Sequence, residues 1–186
     1  MGLFDLFKGA KSDPAESLPQ NDAEKWVVAA YALWSEYCGG SYKFFGGYEK
    51  NRSNASMVRG VLNRDWAVTN KQGVLETVDY LIAEKNNAGD KAAKAAFNYG
   101  CAANVAARGY LGGYLTREEM MTEEAKVANT IRAHYHSWEE YAAAYIQGVG
   151  LESGVADKVA EFEENYKRLA AIPDGPYTVA WETPIG

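Results

Sequence analysis

All five prolines of this 186-residue chain lie towards its ends, at Pro14, Pro19, Pro173, Pro176 and Pro184. The stretch from Gln20 to Ile172 contains none. Proline inside a helix removes a backbone hydrogen bond and clashes with the preceding turn, at a cost of about 3 kcal/mol. A long proline-free middle therefore suits a helical domain. Residues 8–21 (KGAKSDPAESLPQN) read as a polar linker. Residues 173–186 read as an extended tail closing on the body, with Tyr177, Val179 and Trp181 alternating as in a strand. The expected division is an N-terminal segment and linker (1–21), a helical domain (22–172) and a packed tail (173–186).

Start signals partition the middle into helices. Asp22 is placed to cap a helix carrying Trp26, Ala30, Leu33, Trp34 and Tyr37 on one face, ended by Gly39 and Gly40. Residues 39–48 (GGSYKFFGGY) read as a loop, and a short helix is expected from about Asn54 to Asp65. Thr69 with Gln72, Thr116 with Glu119 and Ser137 with Glu140 have the spacing of capping boxes. The first precedes the stripe Val74, Leu75, Val78, Leu81 and Ile82; the last precedes Trp138, Tyr141, Ala142, Tyr145, Ile146 and Val149. A final helix near 155–169 carries Val155, Val159, Phe162, Tyr166 and Leu169. Between them, Asp90 is placed to cap a helix from Lys91 to about Tyr110, in which eight of the sixteen residues from Ala92 to Ala107 are alanine. Small side chains on every face let neighbours approach closely, so this helix is expected at the centre. The expectation is an all-α bundle of about six to eight helices. Asn104 falls in the apolar row Ala93, Phe97, Gly100, Asn104, Ala107 and Leu111. Buried there, it is expected to be hydrogen-bonded, because an unsatisfied amide costs about 1–3 kcal/mol.

Composition excludes several classes. With 47% hydrophobic and 24% charged residues the chain has enough apolar material for a core. Nineteen basic against 25 acidic residues leave a formal charge of −6, so no nucleic-acid partner is expected. No apolar run is long enough to span a membrane. MGLFDLF at the start lacks a secretion signal's basic region, and Leu6 stands where myristoylation wants Ser or Thr. Residues 1–7 are at most a short surface-seeking turn. Cys38 and Cys101 are read as reduced thiols in a cytoplasmic protein.

No catalytic or metal-binding motif is present. His134 and His136 are two apart, which on a helix points them to different faces. Neither a metal nor a cofactor is expected. The acidic run from Glu152 to Glu164, five acids against one lysine, is suited to meeting a basic protein surface. Tyrosine is unusually frequent, with thirteen copies, and Tyr110, Tyr114, Tyr135, Tyr141 and Tyr145 cluster in sequence. Such residues serve cores and binding surfaces alike.

The run from Asn104 to Met120 (NVAARGYLGGYLTREEM), followed by His136 to Gly148 (HSWEEYAAAYIQG), resembles the bacterial family called domain of unknown function 1266. The matching positions are Gly109–Tyr110, Gly113–Tyr114–Leu115, Glu118–Glu119, Ser137–Trp138, Tyr141, Tyr145 and Gly148. Upstream, Asp65–Trp66 and Val78 to Leu81 look like two further family segments, and Pro176 to Trp181 is similar to its closing tail. The resemblance spans about residues 58–185. It departs where the family often carries Asp and Arg, at Asn98 and Cys101, and where Glu84-Lys-Asn-Asn replaces a Gly-His-Arg. The resemblance implies a mostly helical bacterial cytoplasmic domain and no established activity.

Two functions follow as expectations. One is a non-enzymatic protein-binding domain, of adaptor or immunity type, with a basic-surfaced partner. The alternative is an enzyme, or a degenerate one, with a small-molecule site beside the central helix. The candidate binding residues are Asn98, Asn104, Arg108, Tyr110, Tyr114, His136, Trp138, Tyr141 and Tyr145.

Overall fold

The structure is a computed structural model that describes residues 14–152 and 154–185. The membrane-surface and myristoylation readings, and the linker up to residue 13, lie outside the described residues. Among those described, the chain forms α-helices and no strand. The helices are α1 (Pro14–Ser17), α2 (Asp22–Ala30), α3 (Ala32–Tyr37), α4 (Arg52–Trp66) and α5 (Lys71–Ile82), then α6 (Glu84–Asn87), α7 (Ala95–Leu111), α8 (Arg117–His134), α9 (Trp138–Val149) and α10 (Val159–Ala170).

The fold class is the expected one, but there are ten helices rather than six to eight. Two reasons account for the difference. The helix expected from Asp22 to Tyr37 breaks at Tyr31, whose backbone (φ −121, ψ 13) is not helical. Two single turns, α1 and α6, also form in segments read as linker and connection. Several caps fall one residue from their expected place. Asn21, not Asp22, caps α2 by accepting from the Glu24 N–H, and Asn70, not Thr69, caps α5 by accepting from the Gly73 N–H. Asparagine caps at least as well as its neighbours, so proximity to the first free N–H decides. Asp90 caps nothing; it lies in a 3-10 turn, Gly89–Lys94, that runs into α7. The Thr116–Glu119 box is complete at α8. At α9 only half forms: Ser137 accepts from the Glu140 N–H, while the Glu140 carboxylate turns to the His136 N–H.

α7 is the centre. Every one of its residues except Asn98 is buried. It packs on α4, α5, α8 and α9. Its small residues set the closeness: a Cβ on Gly100 would come within 2.4 Å of the Tyr145 ring of α9. One on Gly148 of α9 would come within 2.8 Å of the Phe97 Cβ.

The tail forms no strand. After a 3-10 turn, Pro176–Thr178, it runs extended at Val179. Tyr177, Val179 and Trp181 still pack on the core while the residues between them are exposed. No strand lies beside the tail, so its carbonyls accept side-chain donors instead. The Trp138 indole donates to Val179 O and the Trp26 indole to Trp181 O, each at 2.9 Å, and Arg132 donates to Thr183 O.

Candidate functional site

One face of α7, buried but for Asn98, forms the floor of a cleft of about 550 Å³. The floor is Asn98, Cys101, Asn104 and Arg108, which recur at the three- and four-residue steps of a single helical face. Aromatic walls come from four helices: Trp34 of α3, Trp66 at the end of α4, Tyr80 of α5 and Phe97 of α7 itself. A smaller recess of about 270 Å³ adjoins it and shares Trp34, Asp65 and Arg108. The large apolar side chains that stand exposed among the described residues are Met57, Tyr80 and Leu151. Tyr80 lines the cleft, Met57 lines the recess, and Leu151 precedes the rim residue Glu152.

The floor is polar and incompletely satisfied. Asn104 is 4% exposed, as expected, yet its Nδ2 donates to nothing, against the expectation of a hydrogen bond. Arg108 is 7% exposed; its Nε has no partner, and among the described residues no carboxylate lies within ion-pair distance of its guanidinium. The two carboxylates of the cleft are engaged elsewhere. Both Asp65 oxygens receive the Arg64 guanidinium, and Glu152 accepts from Lys94 at 2.7 Å. The Arg64 fork holds the Asp65 carboxyl below its ordinary range despite partial burial. Asn98 is fixed: its Nδ2 donates to the Asn87 side-chain oxygen Oδ1 at 2.9 Å, and the Asn87 Nδ2 in turn donates to Leu81 O and Ala83 O, tying α6 to α5 and α7.

The remaining candidate residues lie elsewhere. The Tyr110 hydroxyl donates to Glu16 O, its ring meets Phe45 edge-on, and Lys50 sits 4.0 Å over it. Tyr114 is half-buried against the core. His136 is largely exposed and pairs with Glu140. Trp138, Tyr141 and Tyr145 are interior rather than a binding surface. Trp138 packs among Trp26, Tyr177 and Trp181, and the Tyr141 hydroxyl donates to Ala30 O. The amphipathic α9 stripe is thus a core stripe in which the Tyr141 hydroxyl anchors backbone, while the Tyr145 hydroxyl is buried without a partner.

Among the described residues no group of three or more His, Cys, Asp or Glu side chains gathers to hold a metal. Both cysteines are free thiols. Burial pushes the Cys101 thiol up to about 12, which keeps it protonated and unreactive at neutral pH. Desolvation also raises the Cys38 thiol, while Arg108, through its charge and a side-chain hydrogen bond, pulls the other way.

Sequence reading found three of the four floor residues, because Asn98, Asn104 and Arg108 are conspicuous polar residues in an alanine-rich helix. It missed the walls. Trp34, Trp66, Tyr80 and Glu152 come from separate segments, and no spacing links them.

A family model described as "Protein of unknown function (DUF1266)" matches residues 86–181. That range takes in α7 to α10 and the tail to Trp181, and leaves out the upstream segments at Asp65 and Val78. Comparison with curated proteins and with solved structures returned no match.

Proposed function

The chain belongs to the DUF1266 family, and from the residues of its cleft we propose that it is a non-enzymatic binding domain for a small molecule held against α7. One observation carries this reading: the Arg108 Nε and the Asn104 Nδ2 are buried without a hydrogen-bond partner on the floor of an open cleft with aromatic walls. Native proteins leave few buried polar groups unsatisfied, and two that share one helical face at the floor of a cleft call for an explanation. The volume falls in the range of ordinary small-molecule sites, about 300–1,000 Å³. A non-enzymatic role is supported by the titratable groups in the cleft. Cys101 is held protonated and Asp65 charged, so neither is poised as an acid or base near neutrality. The free cysteines support the cytoplasmic setting expected from the sequence.

The five tryptophans provide the test. Trp34 and Trp66 line the cleft, whereas Trp26, Trp138 and Trp181 form the cluster under the tail. In protein labelled with 5-fluorotryptophan, a cleft ligand from a metabolite-like library is expected to shift the Trp34 and Trp66 resonances and leave the other three in place. A library in which no compound moves those two would overturn the reading.

A protein-binding or immunity-type role is the second reading. Its aromatic surface is gone, since Trp138, Tyr141 and Tyr145 are interior. What supports it is the exposed row Glu161, Glu163 and Glu164 on α10, suited to a basic-surfaced partner. Replacing all three with Lys is expected to abolish any co-purifying polypeptide while leaving the Trp34 and Trp66 ligand shifts intact.

A further inference from the structure

The same two donors constrain what the cleft accepts. Resting on the small-molecule reading above, we propose that the ligand is a monocarboxylate with a flat apolar or aromatic body, its carboxylate completing Arg108 and Asn104.

Charge comes first. The chain as a whole is acidic, with a formal charge of −6. The cleft is not: Lys91, Lys94 and Arg108 line it against Asp65 and Glu152. Both of those carboxylates already have cationic partners, in Arg64 and Lys94. Arg108 feels Asp65 at longer range but has no ion-pair partner of its own among the described residues, in a buried position where a missing counter-charge is costly. A neutral ligand leaves that deficit in place, and a cationic one worsens it. An anion removes it.

The donor set then distinguishes among anions. Phosphate sites characteristically gather several backbone N–H groups at a helix start or a glycine-rich loop. Here the floor is the interior of α7, where backbone N–H groups are committed to the helix, and the free donors on the floor belong to one guanidinium and one amide, with the exposed Lys91 ammonium also lining the cleft. A planar guanidinium matches a planar carboxylate with two parallel hydrogen bonds. One such fork compensates a single negative charge. Asn104 lies four residues before Arg108, one helical turn away on the same face, and offers its Nδ2–H to the same group or to a neighbouring carbonyl.

The walls describe the rest of the molecule. Trp34 and Phe97 meet edge-to-face at 5.6 Å, and Trp66 and Tyr80 complete an aromatic lining above the polar floor. Flat rings favour flat or hydrocarbon partners. One charged end on the floor and an apolar body among the rings is the arrangement that satisfies both.

The experiment compares an acid with its neutral isostere. 3-Phenylpropionate, 3-phenylpropanamide and inorganic phosphate are titrated into the whole protein by calorimetry, and Trp34 and Trp66 are followed by fluorine NMR. A charge-assisted fork is worth about 1.5–3 kcal/mol, so the acid is expected to bind about 10-fold or more tightly than the amide. Phosphate is expected to leave both resonances unmoved. In Arg108→Met the acid is expected to lose about 10-fold while the amide changes by less than about 2-fold. Arg108→Lys, which keeps the charge without the fork, is expected to fall between. Equal affinity for acid and amide would overturn the carboxylate assignment and leave the cleft a neutral-ligand site. Preference for phosphate would overturn it in favour of another anion. Failure of both phenyl compounds to move Trp34 and Trp66 would also overturn it, and the broader library then decides separately whether the cleft binds small molecules at all.

Discussion

Glu24 and Glu124 are both buried carboxyls, and their surroundings give them opposite dependence on pH. Burial alone raises Glu24, but Arg117 donates to both of its oxygens at 2.7 Å and the Gln20 N–H donates at 2.6 Å, leaving it below its usual 4.5. A depressed carboxyl contributes stability that is fully present above its unfolded value and is lost as pH falls through the folded one. Glu24→Gln is therefore expected to cost about 2 kcal/mol at pH 7, read from the denaturation midpoint, with the difference shrinking towards pH 3. Glu124 has no such partner. Its Oε1 is unpaired, and burial, then the neighbouring Glu123, push it well above 4.5. A raised carboxyl contributes stability that is present below its unfolded value and is lost as pH rises through the folded one. Glu124→Gln keeps the shape and cannot ionise. Its thermal midpoint is expected to gain on the wild type progressively between pH 5 and pH 9. A constant offset across that range would show that Glu124 does not change its protonation on unfolding.

At the scale of elements, the bundle depends on how closely α7 and α9 cross. Gly100 and Gly148 lie on opposite sides of that crossing, and a methyl group on either meets a ring or a Cβ at under 3 Å. Gly100→Ala is expected to cost about 1–3 kcal/mol in denaturant titration, with Gly148→Ala in the same range. Gly60 is the control. It is exposed inside α4 with nothing within 4 Å of the added Cβ, so Gly60→Ala is expected to gain up to about 1 kcal/mol. Helix existence was legible in the sequence because apolar stripes and capping residues encode it locally. The Thr116–Glu119 box and the alanine-rich centre illustrate this. Exact starts were less legible, since Asn21, Asn51 and Asn70 each have polar neighbours able to cap and only the backbone path selects among them. The break at Tyr31 was invisible. It has no proline or glycine, and the Tyr31 hydroxyl is committed at long range, accepting from the Gly46 N–H at 3.2 Å.

At the scale of the whole molecule, two tryptophan groups divide the labour. Trp26, Trp138 and Trp181 fasten the tail, with ring centroids 4.9 Å apart for Trp26–Trp138 and again for Trp138–Trp181. Trp181→Ala removes a half-buried ring from that cluster and is expected to cost about 2 kcal/mol, visible as a lower thermal midpoint. Trp34 and Trp66 instead face the cleft. Which tryptophans do which was not legible: residues from five segments meet only in the fold, and the α9 aromatics that resembled a surface turned inward. The floor was partly legible because Asn98, Asn104 and Arg108 interrupt an otherwise small and apolar helix. A site that keeps a buried guanidinium without an ion-pair partner gives up stability for function. The most direct measurement is therefore the thermal midpoint of wild type and Arg108→Met, each with and without 3-phenylpropionate. Met retains the stem that packs against Gly46 while removing the charge. The variant alone is expected to melt a few degrees higher than the wild type, an order set by about 1 kcal/mol in a chain of this size, and to lose the ligand-induced rise. A variant that melts lower than the wild type without ligand, or that keeps the full rise with it, would contradict the assignment of Arg108 as the anchor of the cleft.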